Sequence, residues 1–466
     1  MLFNSIEFII FFPIVTLLFF LLPHRLRWVH LLLASCFFYV SFIPSYLLIL
    51  FFLIAIDYSA GILIERGNNK KLWLIASVIA NLSLLGVFKY FDFFITNINS
   101  LTGTDFILLN LILPIGLSFH TFQSLSYTIE VYKGRQKAIT HLGYYSLFVL
   151  FYPQLVAGPI ERPQHLIPQL LQRQSFSAQR LYEGLRLMSW GFFKKTVIAD
   201  RVGPYADVIF NDPHAAQTSQ VWLAVLFFSI QIYADFSGYS DIAIGAARCI
   251  GIDLSINFNR PYQATNIREF WKRWHISLSS WFRDYVYIPL GGNRHGALKK
   301  NIYLLLTFML SALWHGAGWT FIVWGILHGV YTIAYDGIKK RFPDLKVGNV
   351  IGLLVTGLCV GFAWIFFRAI SVDDAFTISQ TALQLDRFSF SEILNVKNQK
   401  LQFGNFSLLL SLLIIAYMFF VERYTDPKLT SLNQVRFIDT VTFAGTLLLI
   451  IFFGVFQKSN FIYFQF

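Results

Sequence analysis

The stretch Ser311-Ala-Leu-Trp-His-Gly-Ala-Gly-Trp-Thr320 places a histidine, His315, at the end of the apolar run from Ile302 to Leu313. An ionisable side chain at membrane depth is costly and tends to face a cavity or a pathway. The glycines that follow, Gly316 and Gly318, remove side chains that would block the approach of a substrate or of another backbone. A lone buried histidine is more often a packing residue, but this setting favours a functional role for His315.

The composition of the whole chain is that of an integral membrane protein. Of its 466 residues, 56% are hydrophobic and only 13% are charged, and the mean hydropathy is +0.57. Apolar runs recur without a polar block of domain size, so we expect a single membrane domain over residues 1–466. The formal charge of +12 lies in short clusters between apolar runs, where it sets membrane orientation and argues against nucleic acid as a partner.

Several other kinds of site are not expected. Cys36, Cys249 and Cys359 lie in apolar contexts without CxxC or histidine spacing, so neither a disulfide framework nor a metal site is predicted. Neither GxSxG nor HExxH occurs, which argues against a serine triad or a zinc hydrolase. The first apolar segment lacks a basic n-region and a cleavage site, so it is read as an uncleaved helix.

Hydrophobic runs predict an all-α protein that crosses the membrane many times. Basic residues lie in every second early loop, at positions 25–27, 66–71 and 133–137. The positive-inside rule places these loops in the cytoplasm and the N-terminus outside it. Spans are predicted at Ile6 to Leu22, Trp28 to Ile43, Tyr46 to Ile64, Leu72 to Phe91, Phe106 to Val131, Val350 to Phe367, Leu408 to Val421 and Phe437 to Phe456.

The middle of the chain breaks this pattern. Tyr144 to Val156 and Val221 to Cys249 have basic residues beyond both ends, so both are predicted to be re-entrant or broken. The second segment turns polar in its later half, from Gln231 to Asp241. Such geometry is tolerated only where protein or a water-filled cavity satisfies the backbone, which indicates a centre lined by broken helices. The loop from Ala369 to Phe406 is predicted to be external.

Two further predicted elements contain His315 and a second candidate histidine, His275. Asn301 to Trp314 and Thr320 to Tyr335 are predicted to form a helical hairpin with His315 at its inner turn. The segment Arg268 to Asp284 carries aromatic residues at three- and four-residue spacing, which predicts one amphipathic helix at the membrane interface. His275 lies on that helix, where an interfacial anchor and a functional residue are equally good interpretations.

The remaining polar residues in apolar runs are better explained as structural. His120 and His328 fall in this group, although His328 lies 13 residues beyond His315 and could support it. Buried carboxylates such as Asp241 are better explained as partners of arginine or of backbone groups. From the residues alone, two classes remain: an enzyme with a buried histidine as general base, and a transporter in which His and Asp relay protons. The sequence has no related halves, which favours the enzyme.

Six stretches also resemble the membrane-bound O-acyltransferase (MBOAT) family, in its bacterial branch of alginate O-acetylation and teichoic-acid D-alanylation proteins. They occur in order between about residues 113 and 329. They are Leu113 to Val131, Phe151 to Ile160, Asp235 to Asp241, Asn257 to Tyr262, Phe270 to Trp281 and Leu313 to Gly316.

This resemblance implies a fold and a site. We expect a ring of about 10–12 transmembrane or re-entrant helices around a thinned centre, with a tunnel, in the bacterial cytoplasmic (inner) membrane. The essential histidine of the family's Trp-His-Gly motif maps onto His315, and its second polar position maps onto His275. Supporting or donor- and acceptor-binding roles are expected for Trp314, Trp274, Arg273, Arg283, Asp284, Asp241, Gln154 and His328.

The resemblance also implies a reaction. His315 would act as general base on an acceptor hydroxyl that attacks a cytoplasmic thioester, from acetyl-CoA or an acyl carrier protein. His275 would orient a reactant or stabilise the oxyanion, and an acyl-histidine relay remains an alternative. The basic cluster of Arg268, Lys272, Arg273 and Arg283 would attract this donor or, equally, anionic lipid headgroups.

The expected product is an O-acetylated extracytoplasmic polysaccharide, such as the exopolysaccharide alginate, with the acetyl group handed to a periplasmic or membrane-tethered acetyltransferase partner. No bound cofactor is expected. The alternatives are D-alanyl transfer to teichoic acid and a proton-coupled transporter or flippase. The chain's length and its spans beyond residue 350 fit the polysaccharide acetylation branch better.

Overall fold

The computed structural model of the protein describes residues 1–67, 69–345, 347–394, 405–425, 436–456 and 461–462. Across these residues the chain is helical and contains no β-strand, which confirms the predicted all-α class. Three segments, Gly86–Tyr90, Phe193–Ala199 and Arg283–Tyr287, are π-helical.

The α-helices are numbered in chain order. They are α1 (Ile6–Leu21), α2 (His24–Val40), α3 (Tyr46–Arg66), α4 (Lys70–Leu85), α5 (Phe91–Thr102), α6 (Leu117–Tyr132), α7 (Leu142–Leu150), α8 (Pro163–Leu171), α9 (Ala178–Phe192), α10 (Asp200–Asn211), α11 (Thr218–Cys249), α12 (Ile267–Arg273), α13 (Ile276–Phe282), α14 (Ile288–Leu290), α15 (Gly296–His315), α16 (Trp319–Arg341), α17 (Asn349–Arg368), α18 (Val372–Leu383), α19 (Asn405–Tyr424) and α20 (Phe437–Phe453).

The helices of the described residues have the length and hydropathy of a multi-pass membrane protein. Six helical segments meet both criteria for crossing a bilayer, and α1 and α20 are shorter apolar helices. Large apolar side chains such as Ile6, Ile10 and Leu17 are exposed on α1, as expected where lipid and not water is the solvent. The six segments are Tyr46–Arg66, Lys70–Thr102, Thr218–Cys249, Trp319–Arg341, Asn349–Arg368 and Phe406–Tyr424.

The predicted span from Phe106 to Val131 is wrong in its first half. Residues 103–116 are not helical, and α6 begins only at Leu117. Gly116 lies before it with a φ of +79°, a left-handed conformation that interrupts a helix and that glycine adopts at little cost. A Cβ at this position would also lie 2.7 Å from the carbonyl oxygen of Leu155.

The predicted break within Val221 to Cys249 is also wrong, because α11 is one continuous helix of 32 residues. Its polar side chains have partners inside the protein. The Asp235 carboxylate pairs with Lys195 Nζ at 3.0 Å and accepts a hydrogen bond from the backbone N–H of Ile462 at 2.7 Å. A helix can therefore keep its backbone bonds and still bury polar residues, provided that those residues are paired.

The predicted re-entrant segment Tyr144 to Val156 contains the short helix α7 followed by buried, non-helical chain to residue 162. Side chains from other helices satisfy its backbone: Ser35 Oγ accepts from the N–H of Tyr152 at 3.0 Å, and Gln123 Nε2 donates to the carbonyl of Phe148 at 2.8 Å. Such pairing is what non-helical backbone at membrane depth requires. That the segment re-enters the membrane stays a prediction.

The chain divides into two compact units. The first unit comprises Met1–Trp190 and Tyr239–Ile256, and thus α1 to α9 with the end of α11. The second comprises Gly191–Gly238 with the described parts of Asn257–Leu429 and Arg436–Phe466. The second unit holds His275 and His315, and its predicted hairpin is confirmed as α15 and α16. The segment predicted as an external loop contains α18, and its residues 395–404 lie outside the described residues.

Candidate active site

His275 interrupts the segment that was expected to form one amphipathic helix. That prediction is wrong, because α12 ends at Arg273 and α13 begins at Ile276, with His275 at φ +43° between them. A side chain other than glycine is uncommon in this left-handed region, and histidine is among the residues enriched there. Such a conformation persists only where the surrounding structure holds it.

Asn257 supplies much of that support. Its side-chain oxygen, Oδ1, lies 3.0 Å from His275 Nδ1 and accepts hydrogen bonds from the N–H and the hydroxyl of Ser277, at 3.3 and 2.9 Å. Its backbone carbonyl accepts from the N–H of Ile276 at 2.8 Å. The loop at Asn257 and the turn at His275 are therefore joined through both backbone and side chain.

His315 is the last residue of α15, at the tip of the α15–α16 hairpin. Only 4% of its surface is exposed, and 1% of His275 is exposed. The centroids of the two imidazole rings are 6.3 Å apart, at an interplanar angle of 61°. The structure thus brings together two buried histidines that are 40 positions apart in the sequence.

Aromatic rings enclose this histidine pair. Trp314, Trp324 and Phe367 contact His315 at centroid distances of 4.9, 5.4 and 5.4 Å, and all three meet it edge to face. Phe236, Phe258 and Trp314 contact His275 at 4.7, 6.1 and 6.0 Å. Burial lowers the pKa of His275 to about 3, so this ring is neutral near pH 7.

The glycines after His315 do not leave the space that the sequence suggested. A Cβ on Gly316 would lie 2.0 Å from the ring of Phe321, so the aromatic side chain already occupies that space. The backbone of Gly316 is extended, with a φ of −157° that any residue can adopt. Glycine is therefore required here for the close approach of Phe321, and not for a special backbone conformation.

The other tryptophan and histidine candidates of the second unit lie near the pair to different degrees. Trp314 contacts both histidines, whereas Trp274 stacks on Phe270 at 5.5 Å and contacts Phe258 at 5.1 Å. His328 is completely buried, and the Trp324 ring contacts both His328, at 5.0 Å, and His315, at 5.4 Å. His328 and His315 therefore share Trp324 as a packing partner.

The charged candidates form ion pairs at the ends of the short helices. Arg273 pairs with Glu269 at 2.5 Å and Arg283 pairs with Asp284 at 2.8 Å. Arg268 forms a two-bonded ion pair with Asp336. The expected basic cluster is therefore largely neutralised, and its attraction for a donor or for lipid headgroups stays a prediction.

Asp241 and Gln154 belong to the first unit. Both are buried, and Gln154 Nε2 donates to the carbonyl of Phe148 at 2.8 Å. Gln154 also lines a small cavity together with His120 and Gln123. Their expected roles in binding donor or acceptor stay predictions.

Sequence reasoning missed Asn257, Trp324 and Phe367. Asn257 stands in one of the stretches that carry the family resemblance, but nothing in the sequence connects it with a histidine 18 positions later. Trp324 and Phe367 read as ordinary apolar positions of membrane helices. Among the residues that the structure describes, no group of three His, Cys, Asp or Glu side chains could hold a metal ion.

The sequence profile of the membrane-bound O-acyltransferase family matches residues 82–371. This region includes α12, α13 and the α15–α16 hairpin, and with them both buried histidines. The chain belongs to this family and is a multi-pass membrane acyltransferase.

The names of similar proteins refer to peptidoglycan, alginate and teichoic acid. The chain is 37% identical to the peptidoglycan O-acetyltransferase of Helicobacter pylori, over 94% of this chain and 91% of that protein. It is 36% identical to the probable alginate O-acetylase AlgI of Pseudomonas aeruginosa, over 92% and 84%. The teichoic acid D-alanyltransferase of Bacillus subtilis is 30% identical over 54% of this chain and 68% of that protein.

Proposed function

We propose that the protein takes an acetyl group from a cytoplasmic thioester and passes it across the bacterial cytoplasmic membrane for O-acetylation of an extracytoplasmic polysaccharide. Two relatives named for O-acetylation align over more than nine-tenths of the chain, whereas the D-alanyltransferase aligns over 54%. This difference in coverage favours acetyl over D-alanyl transfer.

The observation that carries the proposal is the pair of buried histidines, 6.3 Å apart inside an aromatic enclosure. At this separation an acceptor molecule between the rings can form a hydrogen bond of ordinary length, about 2.7–3.2 Å, with each of them. The enclosure also keeps bulk water away from a thioester, which limits its hydrolysis.

In the proposed reaction, His315 accepts the proton of the acceptor hydroxyl while the oxygen attacks the thioester carbonyl. A C–O bond forms, the C–S bond breaks, and the departing thiolate takes the proton back from His315. General base assistance of this kind is typically worth about 10²–10⁴-fold in rate. Holding the donor and the acceptor in line inside the enclosure contributes further.

The donor and the partners follow from this reaction. Acetyl-CoA or an acetylated acyl carrier protein supplies the thioester, and a periplasmic or membrane-tethered acetyltransferase receives the acetyl group for transfer to the polymer. Transfer of the acetyl group from the cytoplasm to the outside matches the orientation that the loop charges predict, with the N-terminus outside the cytoplasm.

The test measures polymer-bound acetyl ester in cells that carry His315→Ala or His275→Ala, with exposed His214→Ala as the matched control. Membrane abundance and thermal stability are checked for each variant. Loss of acetyl ester in His315→Ala, with normal abundance and an active His214→Ala, supports the proposal. Retention of acetyl ester in a stably inserted His315→Ala protein overturns it in favour of transport. D-alanyl ester in place of acetyl ester would assign the alternative acyl group.

A further inference from the structure

The side-chain amide of Asn257 is oriented by an unambiguous donor. The backbone N–H of Ser277 can only donate, and it points to Asn257 Oδ1 at 3.3 Å. The Ser277 hydroxyl donates to the same atom at 2.9 Å. The atom that faces both groups is therefore the carbonyl oxygen of the amide and not its nitrogen.

This orientation decides the protonation of His275. Its Nδ1 atom lies 3.0 Å from the same Asn257 oxygen, which can only accept a hydrogen bond. Nδ1 must therefore carry the proton. In a neutral imidazole the other nitrogen, Nε2, then carries the lone pair.

We propose that Asn257 is a positioning residue that fixes His275 with its proton on Nδ1, so that His275 Nε2 accepts a hydrogen bond from an O–H or N–H group of the acceptor that lies next to the reacting hydroxyl. This inference rests on the proposed acyl transfer. The φ of +43° at His275 and the hydrogen bond from the Ile276 N–H to the Asn257 carbonyl fix the backbone that carries the ring. Side chain and backbone together leave the ring one orientation and one tautomer.

The tautomer separates the roles of the two histidines. A neutral ring with a lone pair on Nε2 cannot donate a hydrogen bond to a developing oxyanion. Of the two roles that the sequence suggested for His275, orienting a reactant and stabilising the oxyanion, this arrangement supports the first. His275 holds the acceptor through this neighbouring group, and His315 removes the proton of the reacting hydroxyl.

Two substitutions at position 257 differ in whether they offer a hydrogen-bond acceptor to the Nδ1–H of His275. Asn257→Asp keeps an oxygen opposite Nδ1–H, whereas Asn257→Leu has a similar size and no acceptor. We expect Asn257→Leu to lower kcat by about 10–100-fold, the effect typical of removing the partner that orients a histidine ring. We expect Asn257→Asp to keep kcat within about threefold. Ser277→Ala is the matched control, because it removes one bond to the same oxygen and leaves the His275 contact.

The pH dependence of activity tests the positioning role of Asn257, because a merely structural role at this position would not change it. Among the four described residues whose ring contacts with His275 are given above, His315 is titratable, whereas Phe236, Phe258 and Trp314 are not. A carboxylate at position 257 stabilises the protonated ring and raises the pKa of His275. A protonated ring cannot accept the hydrogen bond from the acceptor, so the acidic limb of activity should move to higher pH in Asn257→Asp but not in Ser277→Ala.

A second readout does not depend on activity. In protein labelled with ¹⁵N-histidine and reconstituted in liposomes, solid-state NMR distinguishes protonated from unprotonated ring nitrogens, and His275→Gln assigns the His275 signals. We expect a protonated Nδ1 in the native protein and in Ser277→Ala, with loss of that single state in Asn257→Leu.

The outcomes separate this inference from the proposed function. If His315→Ala abolishes acetyl transfer while Asn257→Leu leaves kcat, the pH profile and the NMR signals unchanged, the positioning role is wrong and the acyl transfer stands. If NMR shows the proton on Nε2 in the native protein, the inference is wrong whatever the activity. If His315→Ala keeps acetyl transfer, the proposed function fails, and the NMR result still decides the role of Asn257 at His275.

Discussion

The ring of Phe321 occupies the position where a side chain on Gly316 would begin. The nearest ring carbon of Phe321 is 2.0 Å from an ideal Cβ on Gly316, far inside any real contact. Phe321 also packs edge to face against Phe367, which contacts His315. The glycine beside the candidate base therefore determines how closely the aromatic enclosure packs against the hairpin tip.

Gly316→Ala is expected to impair both stability and activity. The added methyl group must displace Phe321, and overpacking of this kind typically costs about 1–3 kcal/mol. Movement of the hairpin tip by about 1 Å can lower the rate about 100-fold. The measurements are the thermal unfolding midpoint in detergent and the rate of acetyl transfer.

Gly318→Ala is the matched control, since its Cβ would lie 3.4 Å from Phe321, an ordinary contact distance. Its unfolding midpoint and activity should stay close to those of the native protein. Equal effects of the two substitutions would show that the contact with Phe321 is not the cause.

His328→Phe is expected to keep the protein folded and active. Within the described part of the chain, neither ring nitrogen of His328 has a hydrogen-bond partner. Aromatic side chains that include Trp271, Trp324 and Phe270 surround its ring. Unsatisfied buried polar groups cost about 1–3 kcal/mol each, so an apolar ring should raise the unfolding midpoint.

His315→Phe is the matched comparison for this substitution, since it makes the same change at the candidate base. It should abolish acetyl transfer, while His328→Phe should stay within about threefold of the native rate. Loss of transfer in a stable His328→Phe protein would instead assign the His328 nitrogens a part in the reaction.

The hairpin and the outer spans could be predicted because they depend on local hydrophobic length. Helices α15 and α16 contain the predicted arms, with His315 at the turn as expected. The same reasoning failed at α11, where it interpreted polar residues as a break. Their partners, such as Lys195 and Ile462 for Asp235, are remote in sequence and have no local signal.

The two histidines of the site could be predicted from the sequence, whereas the local structure that positions them could not. Aromatic spacing suggested one helix from Arg268 to Asp284, because the pattern gives no sign of the left-handed conformation at His275. That conformation depends on Asn257, which only the folded chain brings close. His315 could be identified because an ionisable side chain is costly in an apolar run. The tautomer of His275, in contrast, depends on its tertiary contact with Asn257.

Asp336→Asn is expected to loosen α12 from the hairpin. Asp336 on α16 pairs with Arg268 on α12, and its carboxylate is 2.6 Å from Lys300 Nζ on α15. One carboxylate thus joins the helix that precedes His275 to both arms that carry His315. Exposed pairs are worth up to about 1 kcal/mol each, so we expect a loss of about 1–2 kcal/mol in the free energy of unfolding.

The ion pair of Arg283 with Asp284 offers a control for this substitution, because these two residues are neighbours on one element. Asp284→Asn removes a comparable charge without separating any helices. It should lower the unfolding midpoint less than Asp336→Asn does. A larger effect of Asp284→Asn would contradict the role assigned to Asp336.

His165 is expected to make stability depend on pH near neutrality. Its Nδ1 atom lies 2.7 Å from Glu161 Oε2, and this hydrogen bond raises the pKa of His165 above its usual value. The folded protein therefore binds this proton more tightly than the unfolded chain. The stabilisation is fully present below the ordinary histidine pKa of about 6.5 and is lost as pH rises through the raised folded-state pKa. His165→Gln should remove this part of the pH dependence, which is measured as the difference in unfolding midpoint between pH 5.5 and pH 8. The control is His214→Gln at an exposed position, which should reproduce the native difference. A native-like difference in His165→Gln would show that another group is responsible.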